Sequence, residues 1–152
     1  MITGNMARDN FYQPGSLIFM DDADCDGTAD PQFAIGGYAI IINPTGNTMQ
    51  VSYTPPCNCI PLVMLHANYY HSANNAAVGL RAYCNGIIDK RASGVTGTAG
   101  WSYDFMVVGY GSIMTKGTAY SFEGHYYTGS NNIFVTRSPI YTYLQVMFFR
   151  AP

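Results

Sequence analysis

The feature that most constrains the fold is the run from Tyr141 to Phe149, which is aromatic and β-branched in character and lacks Gly, Pro and charge. Such a run fits a pleated, buried strand. Side chains alternate across a strand, and here the alternation places apolar groups on both faces. One face carries Thr142, Leu144, Val146 and Phe148, and the other carries Tyr141, Tyr143, Gln145, Met147 and Phe149. A strand covered on both sides lies inside a sandwich or between subunits, so the run predicts a β-protein that assembles.

The low charge of the chain supports this prediction. Only 11% of the 152 residues are charged, against about a quarter in average soluble domains. A small domain with so few charges has difficulty covering its surface with solvating groups, so we expect it to share surface with copies of itself. The formal net charge of −2 and the lack of Lys and Arg between Asp9 and Leu80 argue against nucleic-acid binding. Membrane insertion is not expected either, since no apolar run approaches about 20 residues.

The chain reads as one all-β domain, residues 11–152, preceded by a flexible polar arm, residues 1–10. Short β-rich runs alternate with turns of Gly, Pro and Asn, and no internal repeat or helical periodicity interrupts them. The clearest turn is Asn85-Gly86 between two such runs, which predicts a β-hairpin. About ten short strands at this spacing indicate a sandwich, jelly roll or barrel.

Four segments carry a family resemblance. They are the strand and proline turn Val51–Pro56, the hairpin Leu80–Ile88, the strand entry Met114–Phe122 and the closing Tyr143–Val146. Together they resemble the C1q/TNF-like jelly roll, especially the version found in bacteriophage fibre, spike and decoration proteins. These motifs indicate a fold and no chemistry.

The resemblance implies a homotrimer, in which three jelly rolls pack around a three-fold axis. Aromatic residues of the inner sheet would then meet across that axis. The residues predicted for this interface are Tyr120, Tyr126, Tyr141, Tyr143 and Phe149. The alternative is that these rings fill the core of a monomer.

The segment Asp22–Asp30 has the spacing D-x-D-x-D-G-x-x-D. Carboxylates at alternate positions converge on one hard cation, and Gly27 permits the sharp turn that this requires. The spacing resembles the start of an EF-hand or thrombospondin-type loop and predicts calcium as a cofactor. Phe33 stands where such a loop has its bidentate Glu, so binding should be weakened. The predicted ligands are Asp22, Asp24, Asp26 and Asp30. The alternative is a solvated acidic loop.

The remaining chemistry-bearing residues favour structural roles. The cysteines, Cys25, Cys57, Cys59 and Cys84, are expected to be free thiols, with a zinc site from the last three and His66 as the alternative. No catalytic layout is recognisable, because the histidines are scattered and no Gly-x-Ser-x-Gly turn occurs, so no enzymatic activity is expected. Glu123 and His125 are expected to share a strand face. Trp101, beside a small-residue loop, is a candidate receptor contact that would stack a sugar; the alternative is a core or interface anchor.

Three functions remain open. The first is a viral structural protein: a trimeric capsid decoration or head spike protein on a phage particle, made in the host cytoplasm and bound at the virion surface to the major capsid protein or another virion protein. The arm 1–10 would be its anchor. The second is the receptor-binding tip of a tail fibre that recognises a host surface glycan or protein through loops such as 93–101. The third is a secreted C1q-like ligand or lectin.

Overall fold

The computed structural model describes residues 14–24, 37–42, 47–71, 77–95, 102–129, 133–135 and 142–152. The arm predicted at residues 1–10 lies outside these ranges. Within them the chain forms strands and turns, and no helix there is long and apolar enough to cross a membrane.

The described residues contain ten strands, which agrees with the all-β prediction. In chain order they are β1 (Leu17–Asp24), β2 (Ala39–Ile40), β3 (Gln50–Tyr53), β4 (Cys59–His71), β5 (Ala77–Cys84), β6 (Ile88–Val95), β7 (Ser102–Tyr110), β8 (Tyr120–Thr128), β9 (Ile133–Val135) and β10 (Tyr143–Arg150).

The strands form two five-stranded antiparallel sheets that pack face to face. Sheet A has the order β1-β10-β4-β7, with β9 paired to the end of β4. Sheet B has the order β2-β8-β5-β6, with β3 also paired to β8. Apart from the β5–β6 pair, neighbours in each sheet are not consecutive in sequence, as in a jelly-roll sandwich. The last strand, β10, lies between β1 and β4, so the run with two apolar faces occupies a central position as its pattern predicts.

The core is formed by the facing sides of the two sheets. Leu144, Val146 and Phe148 of β10 are fully buried there, and the ring of Phe148 contacts the rings of Tyr53 and Phe122 in sheet B. The sheets are also joined by a polar contact. The hydroxyl of buried Tyr69 in β4 donates a hydrogen bond of 2.6 Å to the carbonyl of Gly79 in β5, which satisfies the one polar group that this ring takes into the core.

The Asn-Gly hairpin is confirmed, with a loop one residue longer than the two-residue turn. Cys84 pairs with Ile88, and the N–H of Ile87 donates to the carbonyl of Cys84 at 3.0 Å. Gly86 has a φ of 71°, a left-handed conformation that glycine adopts without strain. The hairpin joins β5 to β6 and ends sheet B.

Candidate functional site

The side of sheet A that faces away from the core carries rows of mostly apolar side chains, with Asp22, Gln145 and His66 among them. These residues alternate with the buried ones and lie opposite each other in the strand register. The rows are Met20–Met147–Leu62–Tyr110, Asp22–Gln145–Met64–Val108 and Tyr143–His66–Met106. We call these residues the outer face of sheet A.

The outer face is more apolar than a solvated sheet surface. Along β7, Met106, Val108 and Tyr110 are 53%, 49% and 64% exposed, and at the opposite edge Met20 is 52% exposed. The residues of β4 and β10 between them are half-buried. A contiguous exposed patch of this kind on a single subunit is typical of a surface that another protein covers. Antiparallel sheets with one solvated face usually alternate apolar with polar residues, and this sheet does not.

A small polar cluster lies beside the apolar rows. The Nε2 atom of His66 is 3.5 Å from Oδ1 of Asp104, and the Nδ2 group of Asn68 donates to the same oxygen at 2.9 Å. The His66 ring also stacks on Tyr143, with 5.4 Å between ring centroids. The cluster therefore orients the imidazole at the β7 side of the face, where it can form an ion pair with Asp104 when protonated.

The five residues predicted for the trimer interface separate into two groups. Tyr143 and Phe149 project from β10 on the outer side of sheet A. Tyr126 is only 3% exposed and belongs to the core cluster. Tyr120 packs partly against that core, and its hydroxyl accepts a hydrogen bond of 2.8 Å from the N–H of Thr115. Since β8 belongs to sheet B, Tyr120 and Tyr126 do not share a surface with Tyr143; Tyr141 lies outside the described residues.

The predicted calcium ligands are only partly described. Asp22 and Asp24 lie within β1, extended and paired with Gln145 and Tyr143. Asp26 and Asp30 lie outside the described residues. In the part of the chain that the structure describes, no three His, Cys, Asp or Glu residues come together in a way that could hold a metal ion. Calcium binding stays a prediction. Trp101, the candidate receptor contact, is likewise outside the described residues.

The described cysteines Cys57, Cys59 and Cys84 are free thiols. Cys59 and Cys84 face the core, whereas His66 projects from the opposite side of β4, so His66 and these thiols do not converge on a zinc ion. Burial, and to a lesser extent the nearby Cys57, raises the pKa of Cys59 to about 11. Burial also raises the pKa of Cys84. Both groups are neutral thiols at physiological pH.

The outer side of sheet B is organised differently, around paired charges. The carboxylate of Asp89 accepts two hydrogen bonds from Arg81, at 2.8 and 3.1 Å, and two from Arg91, at 3.1 and 3.0 Å. Glu123 and His125 share this side, as predicted, with 2.8 Å between Oε2 and Nε2. Sequence patterns did not indicate the arginine arrangement, because it needs the β5–β6 register to bring Arg81 opposite Arg91.

Comparison with known proteins supports the fold. No family model matches the chain, and no curated protein matches it. Among solved structures, Eiger TNF from S. frugiperda is similar with a TM-score of 0.52 and 8% sequence identity, over 92% of this chain and 96% of that chain. At this identity the similarity concerns the fold alone. The chain therefore has a TNF-like jelly-roll fold of two antiparallel sheets.

Proposed function

We propose that this chain is a non-enzymatic structural protein of a phage particle, a homotrimeric capsid decoration or head spike protein at the virion surface. The proposal that the chain assembles rests on the apolar outer face of sheet A. A second copy of the chain is the occupant that fits it best, because the face offers apolar rows and few charges, and the chain as a whole is poor in charge. Burying these rows between copies removes from water the surface that one subunit leaves exposed.

Charge placement supports self-association over binding of a charged partner. The described Lys and Arg residues lie on β5 and β6, in the turn before β8 and at the end of β10, and none of them lies on the outer face. Among the side chains that the structure describes, the carboxylates on or beside the face are those of Asp22 and Asp104, near its two edges. The centre of a stable interface is similarly depleted of charge.

A matched pair of substitutions tests the interface. Val108 on the outer face and Ile113 in the loop after β7 are 49% and 56% exposed, so a lysine at either position is solvated in an isolated subunit. We expect the wild type and Ile113→Lys to have a mass of three times 16.6 kDa in native mass spectrometry at micromolar concentration. Val108→Lys should dissociate, because three buried ammonium groups would lack partners. A monomeric wild type, or a Val108→Lys protein that assembles like Ile113→Lys, contradicts the proposal.

The attachment to a phage particle rests on the resemblance of residues 51–149 to phage proteins and has its own tests. Neighbouring capsid and portal reading frames support it, and cellular genes as neighbours contradict it. The major capsid protein is the expected partner, with residues 1–10 as the anchor. A chain lacking residues 1–10 should remain trimeric and fail to co-sediment with particles. Unchanged occupancy on particles would remove the anchor role.

The receptor-binding tip of a tail fibre is the second candidate function. It is favoured by an open groove on sheet B that is lined by aromatic rings and lies beside two arginine side chains. In this case the neighbouring genes would encode tail-fibre proteins, and the trimer would present three grooves to the host surface.

A further inference from the structure

A groove lies on sheet B where β5 begins and β6 ends. Its volume is about 510 Å³, within the range of small-molecule sites. The rings of Tyr38 and Tyr127 stand on one side, with centroids 6.0 Å apart and planes inclined by 47°, and Ser93 and Val95 of β6 stand on the other. Both tyrosine rings are partly exposed, so the groove offers aromatic surface to a ligand.

A glycine shapes the position of one ring. The hydroxyl oxygen of Tyr38 would be 2.6 Å from a Cβ atom at Gly79, so the Tyr38 side chain can extend as far as β5 because position 79 has no side chain. Gly79 pairs with Tyr127 on one side and Ser93 on the other. The strand register therefore holds Tyr127 on β8 and Ser93 on β6 at fixed positions on either side of Gly79.

The arginines lie one row along the same side of the sheet. Arg81 pairs with Arg91 in the register next to Gly79 and Ser93, a spacing of about 7 Å along the strands. The guanidinium carbon of Arg91 is 5.6 Å from the Tyr38 ring centroid, and that of Arg81 is 4.2 Å from the Tyr83 ring centroid. The arginine pair is thus fixed in orientation by ring contacts as well as by Asp89.

The arginine pair retains positive charge and free donors. Two guanidinium groups share the single carboxylate of Asp89, which leaves a net charge of about +1 among these three groups. The other carboxylate on this side that the structure describes, Glu123, is placed against His125. Each guanidinium uses Nε and Nη2 on Asp89, and about three of its five N–H donors remain. An anion beside the pair would receive charge-assisted hydrogen bonds from groups that are already positioned.

We infer that this groove binds a saccharide that carries a carboxylate, with a sugar ring against Tyr38 and Tyr127 and its carboxylate on Arg91. The groove offers ring faces and a hydroxyl, and guanidinium donors lie one row away on the same side of the sheet. These groups match the C–H faces, hydroxyls and acid group of such a sugar. An acidic peptide strand fits less well, since it would have to pair along β6 at the edge of sheet B, whereas Tyr127 and Gly79 lie on the central strands β8 and β5. The inference is independent of the proposed trimer, because a different sheet carries it.

The test compares 3′-sialyllactose with lactose, which differ by the carboxylated sugar, in saturation-transfer NMR and titration calorimetry on the intact chain. We expect sialyllactose to bind in the millimolar range or tighter, lactose to bind much more weakly, and affinity to fall with added salt. Arg91→Gln should weaken sialyllactose binding by about tenfold, the effect of one charge-assisted hydrogen bond. Tyr127→Ala should weaken the binding of both sugars.

Lys116→Gln is the matched control, because it removes the same charge from a turn outside the groove, and it should leave binding unchanged. Thermal melts of each variant establish that it is folded, which is expected for Arg91→Gln because Arg91 is 55% exposed. Equal binding of sialyllactose and lactose, no binding of either at millimolar concentration, or equal losses in Arg91→Gln and Lys116→Gln would overturn the inference. Tighter binding of a glutamate-rich peptide than of sialyllactose would overturn it in favour of a protein partner. None of these binding results changes the native mass of the protein, which is the measurement that tests the trimer.

Discussion

Gly124 in β8 is a buried position at which the packing leaves no space for a side chain. Here the partner of β8 changes from β3 to β2. The N–H of Gly124 donates to the carbonyl of Met49 at 3.0 Å, and its carbonyl accepts from the N–H of Ile41 at 2.8 Å. A Cβ atom at this position would lie 2.8 Å from Sδ of Met49 and 2.9 Å from Cδ1 of Leu65. Both of those side chains are buried, at 1% and 0% exposure, so neither has space to withdraw.

The substitution Gly124→Ala should therefore destabilise the protein. Forcing one methyl group into a packed core costs about 1–3 kcal/mol. The lower backbone entropy of alanine in the unfolded chain returns about 0.4–1 kcal/mol. The difference is a net loss of about 1–2 kcal/mol, which lowers the melting temperature by about 2–8 °C for a chain of this size.

Gly37→Ala is the control, since a Cβ atom there meets nothing within 4 Å and no left-handed φ opposes it. In that variant the lower backbone entropy of the unfolded chain is the only expected effect, so it should be more stable than the wild type by a few tenths of a kcal/mol to about 1 kcal/mol. Both are measured by urea unfolding at one fixed protein concentration, because assembly makes stability concentration-dependent. The reasoning about sheet packing fails if the two substitutions change the free energy of unfolding in the same direction.

Three further predictions concern the core, the thiols and the charged side of sheet B. Phe148→Ala removes a fully buried ring and should cost about 3–5 kcal/mol in urea unfolding; a loss below about 1 kcal/mol would contradict its place in the core. Cys57 is half-buried and should react with iodoacetamide at neutral pH well before Cys59 and Cys84, because the pKa of each of the latter two is raised and a neutral thiol reacts slowly. Peptide mass spectrometry follows the modification of each thiol, and equal rates would contradict the burial of Cys59 and Cys84. Hydrogen bonds from Arg81, and to a lesser extent from Arg91, lower the pKa of Asp89. The contribution of Asp89 to stability is therefore present above its unfolded pKa of about 3.9 and is lost as the pH falls through the lowered value. Asp89→Asn should reduce the fall of the melting temperature with pH in this acid range, and an unchanged pH dependence would contradict the pairing.

The fold was largely predictable from the sequence, since alternation and turn residues mark strands directly. The last strand shows this clearly. Its buried face, with Leu144, Val146 and Phe148, is the one that alternation gives, and Asn85-Gly86 marks the hairpin at the end of sheet B. These signals are local, so they can be interpreted without knowing which strands pair.

The division of strands between the sheets was not predictable in the same way. Tyr126 and Tyr143 both lie in aromatic strands with a period of two, yet one ring fills the core and the other is on the outer face. Alternation says that two faces exist and does not say which one meets the opposite sheet. The apolar positions of β7, Met106, Val108 and Tyr110, alternate as a core face would, and only the register with β4 places them on the outside.

The two sides of the sandwich differ in a way that a monomer would not require. On sheet B, the ionisable side chains are grouped on the outer side, with Asp89 between Arg81 and Arg91 and Glu123 beside His125. On sheet A, the outer face presents methionine, valine and tyrosine side chains to water. A chain with only 7 Lys and Arg residues would best protect a solitary sheet by dispersing them over both sides. The described ones are instead absent from the outer face, which is the distribution expected when a second copy covers one sheet and solvent or a ligand meets the other.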